Sequence, residues 1–173
     1  MSSPIGWSLD EIAARIARDL PPWACVNLGI GMPTRVAANL DPSRGVSLTS
    51  ENGLIGMGPP PPPGAEDPDT VDAGKSPVTL VPGASIVHHA DSFALIRGGR
   101  LDVAVLGALQ VSEQGDLASW RLPSDPFGSV GGAMDIALGA APAQRGARAP
   151  PTAARVTVTK SRRLVMASSA FRA

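Results

Sequence analysis

The chain has 173 residues, 43% of them apolar, and its fifteen basic and fifteen acidic side chains cancel. That length supports one domain with a real core, and the even charge argues against a dedicated nucleic-acid binder. A single cysteine, Cys25, excludes an internal disulfide and reads as a small buried apolar residue; no Cys/His cluster has metal-ligand spacing, so no metal is expected.

Ser8 and Glu11 have capping-box spacing, and Leu9, Ile12, Ala13, Ile16, Ala17 and Leu20 share one face, which predicts a helix over 8–20. Pro21 and Pro22 end it. Trp23 to Leu28 read as a short buried strand, Gly29 to Gly31 as a turn, and Pro33 as the first position of a helix reaching Leu40. Val46 to Ser50 alternate and are β-prone, so they predict a strand ending at Glu51; Asn52 and Gly53 are the pair that best tolerates positive φ. The rhythm of helix, strand, glycine turn, helix and strand is that of an α/β fold. Residues 54–76 contain Pro59 to Pro63 in succession, then Glu66, Asp67, Asp69 and Asp72. Only polyproline II fits that composition, and the segment reads as a solvated surface loop.

A strand is expected at 77–81, a short helix at 91–96, a very apolar strand at 101–106, and a strand or turn at 116–120. Gly131 and Gly132 open an alanine-rich helix through Ala140. Beyond Ala140 the pattern fails. Pro142, Pro150 and Pro151 prevent a long helix, and only 155–159 alternate like a strand. Eight basic residues face fifteen acids up to Asp135, a net charge of −7, while seven basic residues and no acid follow it. The sequence therefore divides into a folded part, 1–140, and a basic Ala/Arg/Pro-rich tail, 141–173, for which disorder is one reading. No basic stretch precedes an apolar run at the start, and no eighteen consecutive apolar residues occur; a soluble cytoplasmic protein, without a membrane partner, is the expectation.

Gly29, Gly31 and Thr34 approach the dinucleotide-binding pattern, with Glu51 near the place of its ribose-binding acid. The third glycine is replaced by Thr34, however, Pro33 stiffens the turn, and an Asn-Gly turn follows the acid at once. Nicotinamide binding stays open as the weaker alternative. The same glycine turn could instead offer backbone N–H groups to an anion or developing oxyanion, with Asn27 adding an amide donor or merely capping its own turn. Gly131 and Gly132 are a second place where backbone can approach a ligand, or an ordinary loop. A carboxylate at the carboxyl end of a strand, as Glu51 is, faces the crevice where α/β sheets bind ligands.

Six segments in order, VNLGIGMP (26–33), SENGLIGMG (50–58), EDPDTVDAG (66–74), DSFALIRGG (91–99), VLGALQVSEQGDL (105–117) and GGAMD (131–135), together resemble the B subunit of the 3-oxoacid CoA-transferases. The likeness spans residues 5–140. It implies a three-layer α/β domain with a largely parallel, Rossmann-like sheet. It also implies an A-subunit partner in a heterodimer or dimer of heterodimers, with Glu51 at the subunit interface and as the catalytic carboxylate. Coenzyme A is then a substrate, passed from succinyl-CoA to a 3-oxoacid such as acetoacetate, or to 3-oxoadipate, and no cofactor is held permanently. Family likeness assigns the oxyanion donors to Asn27 and the Gly131–Gly132 segment, and Gly29, Gly31, Asn52 and Gly53 shape the CoA-facing turns. The chemistry moves acyl groups between carboxylates and a thiolate and needs no general base, so His88 and His89 read as surface or structural residues. Arg97 and Arg100, which flank Gly98 and Gly99, read as solvated charges, with a phosphate or a partner acid as the other reading.

Past Ala140 the likeness ends, where the family continues with further strands and helices. A shifted reading frame or a diverged terminus would both look like this. Missing strands would expose a sheet edge and apolar surface, so a marginally stable or inactive remnant is a further alternative.

Overall fold

The structure, a computed structural model, describes residues 7–112, 117–122, 124, 126–128 and 131–140 in full, and 155–160 and 163–168 as backbone. Helix α1 (Leu9–Asp19) starts at the anticipated capping box: the Ser8 hydroxyl accepts from the Glu11 N–H at 3.2 Å, and Glu11 Oε2 accepts from the Ser8 N–H at 2.7 Å. Ile12, Ala13, Ile16, Ala17 and Leu20 are buried, whereas Leu9, on the open first turn, is exposed. Arg44 closes the other end by donating to the carbonyls of Ala17, Arg18 and Leu20.

Strand β1 (Cys25–Leu28) begins two residues later than its apolar run, because Trp23 adopts φ +62° and leaves the sheet almost fully exposed. The helix after the glycine turn, Met32–Asn39, is 3₁₀ rather than α. Thr34 returns both its hydroxyl and its N–H to the Gly31 carbonyl, at 2.8 and 3.1 Å, which sets three-residue spacing from the first turn. The remaining elements are β2 (Ser47–Ser50), β3 (Leu54–Met57), β4 (Leu80–Ile86), α2 (His89–Arg97), β5 (Val103–Gly107), β6 (Gln110–Val111), β7 (Leu117–Ala118), α3 (Ala133–Gly139), β8 (Arg155–Lys160) and β9 (Arg163–Ser168).

Among the described residues the main sheet has seven strands in the order β4-β3-β2-β1-β5-β8-β9, with β6 and β7 paired separately. Its centre, β2-β1-β5-β8, is parallel, and antiparallel hairpins close both sides. Alternation along β5 shows the layering. Val103 and Val105 face a core built with α1 and the 3₁₀ helix, while Ala104 and Leu106 face a second core with Ile96 of α2 and Ile136 and Ala137 of α3. The molecule is a three-layer α/β fold with helices on both faces of a mostly parallel sheet, as the sequence implies.

Two expectations need correction. Residues 54–57 belong to β3, not to an irregular loop: the Asn52-Gly53 turn sends the chain back along β2, pairing Ser50 with Leu54. Gly56, at φ +84° and next to a register shift, interrupts the alternation that would have revealed the strand. The following strand, β4, lies at 80–86, so it overlaps the expected 77–81 by only two residues. In the basic tail, the backbone of β8 pairs parallel with β5 from Val103↔Arg155 to Gly107↔Thr159, and β9 continues the sheet; the rest of 141–173 lies outside the described residues.

Candidate active site

The carboxyl ends of β1, β2 and β5 share one edge of the sheet, since the three strands are parallel. The chain leaves β1 for β2 on one side and later returns to β5 on the other, so this edge holds the crevice where an open α/β sheet takes ligands. Glu51 is the first residue past β2. Its turn is tight: Gly53 donates to the Ser50 carbonyl at 3.0 Å, and Val87 donates to the Gly53 carbonyl at 2.9 Å. Only glycine serves at position 53, because φ is +114° and a Cβ would stand 2.2 Å from the Val87 carbonyl oxygen.

Glu51 is half-buried and lines two cavities at once. One, of about 530 Å³, is walled by His89, Ala90, Phe93 and Arg97 of α2 and by Gly131, Gly132 and Asp135. The other, of about 230 Å³, is walled by Gly29, Ile30, Leu106, Gly107 and Ser119 and again by Gly131 and Gly132. Gly132 leaves no room for a side chain beside the carboxylate: a Cβ there would lie 3.1 Å from Glu51 Oε1 and 2.8 Å from Phe93 Cζ. Burial pushes the Glu51 carboxyl above its ordinary value, and the neighbouring His89 pulls in the opposite direction.

Of the other residues expected at the site, Gly29 lies in the smaller cavity wall and donates its N–H to Val105 at 2.9 Å. Gly31 takes φ +90° with open space around it. Asn27, fully buried in β1, donates its amide to the carbonyl and hydroxyl of Thr49, each at 3.4 Å, and its Oδ1 has no partner among the described residues. Asn52 turns away from both cavities and donates to the Val71 carbonyl at 2.8 Å.

Four cavity residues are not among those the sequence places at this site, although it reads His89 and Arg97 in other roles. On α2, His89, Phe93 and Arg97 recur every fourth position and so form one face. The His89 ring stacks on Phe93 with centroids 5.0 Å apart, and the Arg97 guanidinium lies 5.4 Å over the same ring. Arg97 is also paired with the fourth, Asp135, through Nε–Oδ1 at 2.9 Å and Nη2–Oδ2 at 3.0 Å. His88, by contrast, has the structural place expected: its Nδ1 accepts from the Ala90 N–H and caps α2.

The end of the acidic loop also proves structural. Asp72 is buried; its Oδ1 accepts from the N–H groups of Gly74 and Ser76 at 2.8 and 2.9 Å. The segment it shapes grips both neighbours of Glu51, since Ala73 donates to Ser50 Oγ at 2.9 Å and Val71 accepts from Asn52. Asp72→Ala strips the partner from two backbone donors, and we expect a loss of about 2–3 kcal/mol, read as a lower urea midpoint at unchanged slope. Asp72→Asn keeps an acceptor oxygen and should lose less.

Cys25 is half-buried at the head of β1; burial first, and then the charge of Asp102, push its thiol up, so it stays protonated at neutral pH. Among the described residues no helix is long and apolar enough to cross a membrane.

The fold and the site together define an α/β protein that presents a half-buried carboxylate between two cavities at the ligand-binding edge of its sheet. The chain belongs to the coenzyme A transferase family, whose sequence pattern matches residues 9–143. It is 53% identical over 132 residues to the B subunit of the 3-oxoadipate CoA-transferase of Acinetobacter baylyi, covering 76% of this chain and 61% of that one. It is 47% identical over 131 residues to the B subunit of the succinyl-CoA:3-ketoacid coenzyme A transferase of Helicobacter pylori, covering 76% and 63%. The chain thus spans about three-fifths of the length of these relatives. Among solved structures it resembles in fold an acyl-CoA transferase of Escherichia coli O157:H7, with TM-score 0.55 and 21% identity over 79% of this chain and 24% of that one. The glutaconate coenzyme A-transferase of Acidaminococcus fermentans gives 0.53 and 20% over 76% and 52%.

Proposed function

We propose that this chain is the B-type subunit of a two-subunit CoA-transferase, acting in the cytoplasm with an A-type partner in a heterodimer or dimer of heterodimers. It carries coenzyme A from succinyl-CoA to a 3-oxoacid such as acetoacetate, and Glu51 is the nucleophile. The observation that carries this reading is the position of Glu51 at the meeting of two cavities, in a family of CoA-transferases.

In the first step the Glu51 carboxylate attacks the thioester carbonyl; the C–S bond breaks, leaving an acyl-glutamyl anhydride and CoA thiolate. The thiolate then attacks the glutamyl carbonyl, expelling the donor acid as carboxylate and forming a glutamyl-CoA thioester. The acceptor carboxylate reverses both steps and leaves as its own CoA thioester. Charge is conserved throughout and no proton moves; because the donor acid leaves a covalent glutamyl-CoA behind before the acceptor enters, ping-pong kinetics follow. Oxyanions develop at both carbonyls, and the Gly131–Gly132 main chain, which lines both cavities beside Glu51, is the proposed source of their N–H donors. Half-burial weakens the solvation of the Glu51 anion and so favours its attack.

A second reading keeps the chemistry and changes the acceptor. The 3-oxoadipate enzymes' B subunits from A. baylyi and Pseudomonas putida are 53% and 56% identical to this chain, above the 47% of the H. pylori 3-ketoacid counterpart. Steady-state assays of the chain with its A-type partner and succinyl-CoA separate the two: a higher kcat/KM with acetoacetate supports the first reading, and a higher value with 3-oxoadipate the second. Activity with neither acid contradicts both.

A further inference from the structure

The cavity between α2 and α3 contains a cation that the transfer chemistry leaves unused. Arg97 reaches it from the third position of the His89, Phe93, Arg97 face; helical side chains lean toward the amino terminus, which brings its guanidinium back over Phe93 and toward the Glu51 end. A Cβ at Gly132 would lie 2.8 Å from Phe93 Cζ and 3.1 Å from Glu51 Oε1, so the Phe93 ring adjoins both the reactive carboxylate and the guanidinium. Asp135 occupies only the Nε and Nη2 edge of that group. A guanidinium has five N–H donors, so three have no partner among the described residues, and its plane is already fixed by the ion pair and the ring beneath it. The cavity, at about 530 Å³, is ample for a short acid.

Resting on the assignment of Glu51 as nucleophile, the geometry points to Arg97 as the subsite for a second carboxylate on the substrate. The acyl groups that use it are short dicarboxylic acids: one end reacts at Glu51 while the other is held by the free N–H groups of Arg97. Phe93 packs along the methylene chain between them. Asp135 is the positioning residue, since it orients the guanidinium without saturating it. A monocarboxylic acid of the same length reaches Glu51 but leaves the remaining N–H groups of Arg97 unused, so Arg97 sets the preference for diacid over monoacid.

The test uses the complex with the A-type partner and two donors of equal chain length, succinyl-CoA and butyryl-CoA. A hydrogen-bonded ion pair supports a loss in kcat/KM for succinyl-CoA of about tenfold or more in Arg97→Gln, with butyryl-CoA changed by less than about twofold. Arg97→Lys keeps the charge without the fork and should recover part of the loss. Calorimetry of free succinate and butyrate on wild type and Arg97→Gln reads the same contact without any covalent step. Weaker succinate binding with unchanged butyrate binding is the expected result. Equal effects on both acids, or none on succinate, overturn the proposal. Succinate binding that depends on Arg97, in a complex whose Glu51→Gln variant still transfers CoA at the parent rate, refutes the role of Glu51 and leaves the subsite standing.

Discussion

Glu51→Gln should remove CoA transfer by about 10⁴-fold or more, because the amide retains the shape of the side chain and loses the nucleophile. Glu51→Asp keeps the carboxylate but withdraws it by a methylene from the meeting point of the two cavities, and a misplacement of that size costs on the order of 10²-fold. The two variants separate chemistry from reach in one kcat/KM measurement.

Folding should respond in the opposite direction. The Glu51 carboxyl titrates above its ordinary value because burial penalises the anion, so the folded state holds the proton more tightly than the unfolded chain does. Stability at this position is therefore fullest below the ordinary glutamate value and declines as pH rises from there to the folded-state value. Glu51→Gln has no anion to desolvate. At neutral pH it should melt no lower than the parent, with a difference that narrows below about pH 4. A variant that loses activity and clearly loses stability at pH 7 contradicts this account, since the defect would then be one of folding.

Gly132→Ala is the second large effect. Position 132 has φ −83°, which any residue adopts, so backbone conformation does not oppose the change. The new methyl would press on Phe93 Cζ at 2.8 Å and on Glu51 Oε1 at 3.1 Å, and both must move. We expect a fall in kcat of about tenfold from displacing the carboxylate by a few tenths of an ångström, with little change in the urea midpoint because the contact lies at a cavity wall. Activity within a few-fold of the parent would mean that Glu51 does not react from the position seen here.

The legible parts of this molecule were those with local signals. The capping box at Ser8 and Glu11 fixes the start of α1, and the Asn-Gly pair after a β-prone run marks the Glu51 turn. The same pair is also a hairpin signal, but Gly56 breaks the alternation of β3 and five prolines follow closely, so the strand has no local signature. The site's other wall was harder to read. His89, Phe93 and Arg97 share a face by their spacing, yet that face turns to a cavity, so no apolar stripe announces it and the charges resemble solvated ones. Asp135 joins Arg97 from 38 positions away, which no local pattern shows. Asp72 sits at the end of an acidic run whose other members, Glu66, Asp67 and Asp69, are exposed. Only the tertiary fold turns the last acid inward under the Glu51 turn.

One species distinguishes this chemistry from every alternative: a thioester joining coenzyme A to the side chain of residue 51. The complex with the A-type partner should be mixed with succinyl-CoA in the absence of acceptor, quenched, digested and weighed by mass spectrometry. The account predicts a CoA adduct on the peptide bearing Glu51, absent in Glu51→Gln and discharged when a 3-oxoacid is added. Transfer of CoA to the acid by an active complex that never carries this adduct, or carries it on another residue, would contradict it.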